Sequence, residues 1–401
     1  ASSPDHSVLT TARIPPERPP VAFCYTGQGC QWEGMAKELW EGKDAHSQLF
    51  RSTVLAATAE LPVDVCDLFV SGDKWLSKQW SGFGITLVQL GLTAILAEAG
   101  VVPDYIFGHS VGEVACGYAD GCTSAQEAAR IAFVRCQLSD KITANGLMLA
   151  VGLDYDSTVA LLKPYRNTVI ACHNSPDGVT LSGSAQEVQE ITATLHAEGI
   201  FAKIVPTDGI AYHSKFFKDN SDTIVDILAG VITDPPVRRT GKWLSTSCED
   251  CRTGQGHMCS LYPDAAYHAR NITGQVNFEP IVRALPKGVI IVEVGPHALL
   301  KSIIKRCRVA EGDETPVLIA AMRKGQSSVD DVAAMLDSLW LAGTHFSFPK
   351  VNHMVPVRHR VNMEWDHDSS WRTPTFADFA LTNGSGTAFP VRFDLLDGPR
   401  H

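Results

Sequence analysis

Ile106-Phe107-Gly108-His109-Ser110-Val111-Gly112-Glu113 closes an apolar run that begins at Val101 and leads into the small-residue, helix-forming run Val114–Ala119. Strand, sharp turn and helix is the context in which Gly-x-Ser-x-Gly works as a nucleophile elbow. Such a turn holds its central serine in a strained backbone conformation. Glycines on either side, here Gly108 and Gly112, let neighbouring backbone pass close by. The hydroxyl of Ser110 is then presented at the mouth of a sheet, and the N–H of Val111 points to where an oxyanion would form.

Working outward, the 401 residues are 45% hydrophobic and 19% charged, a globular composition with length for a large core and more than one unit. The net charge is −10 and no basic block stands out, which argues against nucleic acid as a partner. Apolar stretches such as Val289–Val294 are far too short to span a bilayer, so no membrane is expected. The N-terminus carries no charged-then-apolar signal pattern and no initiator Met, and Arg13–Pro20 reads as linker, as in a piece of a longer polypeptide. The 11 cysteines are odd in number, and several (Cys24, Cys66, Cys116, Cys136) fall in apolar segments. That usage predicts reduced, buried thiols and a cytoplasmic protein.

Upstream of the elbow, Val21–Tyr25 is a short apolar strand that runs into Gly27-Gln28-Gly29. The glycine-rich turn lacks both the dinucleotide fingerprint and a Walker lysine, so its use is to bring a backbone N–H near a bound group. Glu33–Leu39 reads as helical, and Leu68–Ala99 as helix-rich with Gln89 inside the apolar run Ile85–Leu96. Taken alone, Gln89 is a satisfied core amide. Arg135, on the amphipathic helix Ala125–Leu138, is by itself a solvated cation.

Downstream, strands at Gly146–Gly152, Thr168–Ala171, Val179–Ser182 and Phe201–Val205 are separated by helices Tyr155–Leu162 and Ala185–Glu198. Strand–helix–strand–strand–helix–strand is the ferredoxin-like pattern, here a small inserted subdomain. His213, on a turn after Gly209, is a candidate base among 14 histidines. Trp243–Ser247 reads as another core strand, Val289–Val292 as a buried one, Ala298–Arg306 as a helix, Pro316–Met322 as a late strand and Asp331–Ala342 as a last helix. Cys248, Cys251, His257 and Cys259 could supply four zinc ligands, but the spacing of the second pair is unusual for a structural site. The expectation is a thiol-bearing loop and no metal.

Taken together, GQGCQW (27–32), GHSVGEVACGYADGC (108–122), ACHNSPDGVTLSG (171–183), AYHS (211–214), WLSTS (243–247), EVGPHALL (293–300) and WDH (365–367) resemble a known family. It is the malonyl/acetyl acyltransferase domain of animal fatty acid synthase and of fatty-acid-synthase-like polyketide synthases. The resemblance spans about residues 20–390. It implies an α/β protein, an α/β-hydrolase-like core with an inserted ferredoxin-like small subdomain. The expected divisions are an upstream linker (1–20), core (21–145), small subdomain (146–207), core (208–325), and a final helix and linker (326–401).

The resemblance also implies roles. Ser110 would be the nucleophile and His213 its base, a Ser–His dyad whose histidine is oriented by the backbone carbonyl of Asn271. The N–H groups of Gln28 and Val111 would form the oxyanion hole. Arg135, 25 residues after Ser110, would hold a substrate carboxylate in a bidentate contact. Gln89, Ile210 and Tyr212 would line the acyl pocket, and Lys203 and Arg306 would hold phosphates of CoA or of a carrier. The implied partners are acyl-CoA, an acyl carrier protein with its phosphopantetheine arm, and neighbouring synthase domains, with no metal or redox cofactor. The chain departs from the family pattern at Gln28 and at Ile210-Ala211-Tyr212-His213, where animal synthases commonly have Met and Met-Ala-Phe-His. Tyr212 is bulky, as in malonyl-selective domains, whereas Ile210 fits neither the malonyl nor the methylmalonyl pattern. Two alternatives stay open at this point, a serine hydrolase of related fold and a catalytically silent scaffold.

Overall fold

The computed structural model describes residues 18–141, 145–247, 261–313, 315–344 and 346. The linker expected before residue 18, the Cys248–Cys259 cluster and the tail from 347 onward, with WDH, lie outside the described residues. The described strands are β1 (Val21–Tyr25), β2 (Tyr105–Gly108), β3 (Gly146–Val151), β4 (Thr168–Ser175), β5 (Gly178–Ser184), β6 (Ala202–Val205), β7 (Val276–Asn277), β8 (Ile290–Val294) and β9 (Val317–Ala320).

One sheet is four-stranded and parallel, in the order β2-β1-β8-β9, with Phe23 paired to Ile106 on one side and Val292 on the other. β1 and β8 are buried at every position, the continuous apolar run that a parallel strand needs when both faces are covered. Alternation along β1 separates two cores. Phe23 and Tyr25 pack with the helix Ser81–Glu98, while Ala22 and Cys24 pack with Phe278, Ile281 and Ile304 on the other face. The helix Ser81–Glu98 is apolar all round because it is buried all round. By length and composition it could cross a membrane, but 83% of its apolar window is buried inside the protein. Gly91 is required there by close approach: a Cβ would stand 2.3 Å from the ring of Phe50.

The second sheet is five-stranded, in the order β6-β3-β5-β4-β7. β3 to β6, with helices Tyr155–Leu161 and Ala185–Ala197, form the ferredoxin-like unit read from the sequence. Its own core joins Leu149, Leu181, Val188, Ile191 and Leu195. β7 adds to β4 in parallel and ties this sheet to the rest of the chain.

Some local expectations move. Trp243–Ser247 forms no strand: among the described residues its one bridge is the isolated parallel one of Trp243 to Ile106. The next residues turn away because Thr246 N donates to Glu113 and Thr246 Oγ1 to the Gly108 carbonyl. Helix forms at Lys37–Glu41, beyond Glu33–Ala36, where Gly34 and Ala36 have φ of 76° and 59°. The helix expected at Ala298–Arg306 is Lys301–Ala310, and the last one starts at Ser328, capped by Ser327. Eight described cysteines are free thiols, and Cys66 among them is exposed, contrary to its apolar setting in the sequence.

β8 carries one ionisable residue into the core. Glu293 is 4% exposed, and its Oε1 accepts from Leu300 N at 2.7 Å and from Thr26 Oγ1 at 3.3 Å. Burial pushes its carboxyl up from the ordinary 4.5 to about 7. A carboxyl whose folded value is raised favours the protonated folded state, so stability falls as pH rises from about 4.5 to about 7. A shift of that size corresponds to about 3 kcal/mol at full ionisation. Glu293→Gln should therefore gain melting temperature relative to the parent as pH goes from 5 to 8; melting curves that stay parallel across that range would show that Glu293 titrates normally.

Candidate active site

The carboxyl ends of β1 and β2 carry the turns that meet in one cleft, the place where open parallel sheets bind ligands. β2 stops at Gly108 and helix Gly112–Asp120 begins four residues later. Between them Ser110 sits at φ 53°, the left-handed region that a serine adopts only under constraint. The constraint is backbone: His109 N donates to Tyr25 O at 2.9 Å, and Gly112 N donates to His109 O at 3.0 Å. A Cβ on Gly112 would stand 2.2 Å from Tyr25 O, so the crossing of β1 and the elbow excludes every other residue.

His213 is the second left-handed residue of the site, at φ 58°. Its Nδ1 lies 2.8 Å from the Gly274 carbonyl and its Nε2 2.7 Å from Ser110 Oγ. A carbonyl only accepts, so the ring proton is on Nδ1, and Nε2 accepts from the Ser110 hydroxyl. The orienting carbonyl is thus that of Gly274, not of Asn271. The helix Ala265–Thr273 ends just before Gly274 and leaves that carbonyl without an intrahelical partner. Burial pulls His213 down to about 3, aided by the charge of Arg135 and opposed by the Gly274 bond. The ring is neutral at physiological pH and can take a proton at Nε2.

Gln28 and Val111 line the same cleft as Ser110 and His213. Among the described residues neither of their backbone N–H groups donates to another protein group. Val111 immediately precedes helix Gly112–Asp120, whose N-terminal dipole favours negative charge there. Arg135 enters the cleft from helix Ala125–Lys141 and donates to Asn271 Oδ1. Burial lowers its guanidinium from 12.5 to about 10, which leaves it cationic at neutral pH.

Beneath the cleft lies a residue of the opening motif that sequence reasoning left without a role. Glu113 is fully buried and accepts from Thr246 N (2.6 Å), Ser247 Oγ (2.5 Å) and Tyr267 Oη (2.6 Å), with Asn271 Nδ2 at 3.4 Å. These donors come from two segments far along the chain, and they let one buried carboxylate fasten both to the elbow helix.

A protein-family model for the acyl transferase domain matches residues 22–345. The chain belongs to this family. The acyl transferase domain is 31% identical over 400 residues to the highly reducing polyketide synthase rstn3 of Aspergillus nomiae, covering 94% of this chain and 16% of that protein. It is 31% identical over 369 residues to highly reducing polyketide synthase 19 of Pyricularia oryzae, covering 84% of this chain and 14% of that protein. The chain therefore spans about one-sixth of the length of these fungal relatives. Among solved structures it resembles the acyltransferase domain from module 8 of the salinomycin polyketide synthase (TM-score 0.71, 22% identity, 82% of this chain and 76% of that one). It also resembles the acyltransferase domain of SpnD in complex with 2-(pent-4-yn-1-yl)malonyl (TM-score 0.69, 23% identity, 84% and 80%). These likenesses place the α/β fold expected from the sequence.

Within this acyl transferase domain the other expected residues divide. Tyr212 lines the cleft, its ring 5.3 Å from that of Phe217. Gln89 does not: its Nε2 donates to Thr26 O (2.7 Å) and Val294 O (3.2 Å), clasping the ends of β1 and β8. It is a core amide, whose Oε1 has no hydrogen-bond partner among the described residues. Ile210 packs into the apolar core away from the cleft lining. Lys203 is exposed on the edge strand β6, and Arg306 is exposed and paired with Asp177 at 3.2 Å; neither lines the cleft. Cleft residues that the sequence did not single out are Gly82, Cys136, Phe217 and Ile272. A Cβ on Gly82 would stand 3.3 Å from Cys136 Sγ and 3.5 Å from Val111 Cγ2, so this bare position keeps the wall beside Val111 open. Among the described residues no group of three or more His, Cys, Asp or Glu is placed to hold a metal ion.

Proposed function

We propose that this domain takes a malonyl-type extender, malonyl or methylmalonyl, from CoA onto Ser110 and passes it to the phosphopantetheine thiol of an acyl carrier protein. The observation that carries the reading is one cleft lined by a serine hydrogen-bonded to a neutral histidine and by a half-buried arginine. Hydrolysis of a simple ester needs no such cation, whereas a dicarboxylic acyl group has a free carboxylate for Arg135 to hold. The SpnD domain, a structural neighbour, is complexed with a substituted malonyl group, which favours the same class of acyl group here.

In the first half-reaction, Ser110 Oγ attacks the thioester carbonyl and its proton passes to His213 Nε2. The oxyanion is received by the N–H groups of Gln28 and Val111. The C–S bond breaks, and the CoA sulfur takes the proton back from Nε2 as the thiol. In the second half-reaction the carrier thiol gives its proton to Nε2, its sulfur attacks the Ser110 ester, and Ser110 leaves with that proton. Arg135 holds the distal carboxylate in both halves. The steps need no metal or redox cofactor.

Intact-mass spectrometry after brief exposure to acetyl-, malonyl-, methylmalonyl- and a medium-chain acyl-CoA tests the proposal. An adduct confined to malonyl or methylmalonyl, discharged by a carrier thiol, is expected. Release of free acid with no adduct would make the domain a hydrolase instead.

A further inference from the structure

The end of helix Ala265–Thr273 reaches every reacting group of the cleft. Ile272 O accepts from His213 N at 3.2 Å, and Gly274 O from His213 Nδ1 at 2.8 Å. Asn271, 1% exposed, takes Arg135 Nη1 on its Oδ1. Its Nδ2 donates to the backbone carbonyl of Ser110 at 3.2 Å and to Ser247 Oγ at 2.7 Å. The amide cannot be turned over, because a guanidinium has no acceptor for an NH₂ group and the Ser110 carbonyl has no hydrogen to give. One side chain therefore ties the cation of the cleft to the peptide of its nucleophile, and that nucleophile is the strained residue at φ 53°.

We propose that Asn271 is a positioning residue that couples recognition of the acyl carboxylate to the geometry of Ser110; this rests on the reading of Arg135 as the carboxylate's partner. A free arginine samples many rotamers, and an anchored one presents its fork ready made. Asn271 anchors it with a neutral acceptor, which brings no counter-charge of its own to the guanidinium. A force on Oδ1 from an arriving carboxylate is transmitted through the same rigid amide to the Ser110 carbonyl. The side chain thus sets selectivity for dicarboxylic acyl groups without touching substrate.

Asn271→Asp is the decisive variant, because it is nearly isosteric and puts an acidic group against Arg135. Rates of Ser110 acylation by malonyl-CoA and acetyl-CoA would be followed by intact mass. Labelling by a neutral fluorophosphonate would be followed beside them, since it reports Ser110 and His213 without using a carboxylate. The malonyl-to-acetyl ratio of kcat/KM should fall roughly 100-fold, chiefly through KM, and fluorophosphonate labelling should fall far less. A uniform fall in all three rates would overturn the proposal and leave Asn271 a support of the fold. Should Asn271→Asp not fold, Asn271→Ser is made in the parent and in Arg135→Ala. The ratio should fall at least tenfold, on the order of 1.4 kcal/mol, in the parent and stay unchanged in the Arg135→Ala background. Equal falls in both backgrounds overturn the coupling. A parent that takes no malonyl on Ser110 overturns the reading of Arg135 itself, a result distinct from a parent that loads malonyl while Asn271→Asp keeps its ratio.

Discussion

Ser110→Ala should take no acyl group from any acyl-CoA, and carrier acylation should fall by on the order of 10⁴-fold or more. The size follows from the geometry. Ser110 Oγ is 2.7 Å from an imidazole that burial keeps neutral and that the Gly274 carbonyl holds at its other nitrogen, so removing the hydroxyl takes away the atom that would carry the acyl group and leaves its base in place. Alanine at φ 53° meets the same backbone constraint as serine, so the elbow itself is preserved and the loss is chemical. Intact mass and CoA release measure it together. Label that persists at another residue would show that the elbow presents something other than the nucleophile.

The elbow was legible because everything that makes it lies within eight residues: strand, glycines, serine and helix are neighbours in sequence. The small subdomain was legible for the same reason, since its strands and helices each announce themselves by a local pattern. Residues that act across long separations were not. The donors to Glu113 come from 132 to 158 residues away, and nothing around Glu113 in the sequence says that a buried carboxylate must be satisfied there. The carbonyl that orients His213 carried no signal at all, because every residue has one; where the helix before Gly274 ends decides which is free. Gln89 and Gly82 show the complementary ambiguity. A polar residue inside an apolar helix serves equally well as a clasp or as a ligand, and here it clasps β1 to β8. A glycine in the same helix serves equally well to admit a ring, as Gly91 does for Phe50, or to widen a cleft, as Gly82 does beside Cys136. Helix periodicity placed Arg135 on a helix over Ala125–Leu138, which the structure extends to Lys141, but could not say that Arg135 enters the cleft.

Arg135→Ala should lower acylation by malonyl-CoA by roughly 10²- to 10⁴-fold and leave acetyl-CoA unimpaired or improved. The first number is the cost of truncating one partner of a desolvated charge pair, ~2–5 kcal/mol. The second follows from the other side of the same pair. An acetyl group offers the guanidinium no counter-charge, so the parent must bury an apolar methyl against a cation whose burial has already lowered its pKa to about 10. Removing that cation relieves the penalty for acetyl while removing the interaction proposed to favour malonyl. It also relieves His213, whose pKa is depressed first by burial and, less strongly, by the Arg135 charge. The base should therefore titrate somewhat higher in Arg135→Ala, and the acidic limb of its acetyl-loading profile should move toward neutral pH relative to the parent. A malonyl loss with that upward displacement would identify Arg135 as the substrate's electrostatic partner. Equal loss of malonyl and acetyl, with an unshifted pH profile, would make Arg135 a support for Asn271 and the elbow and nothing more.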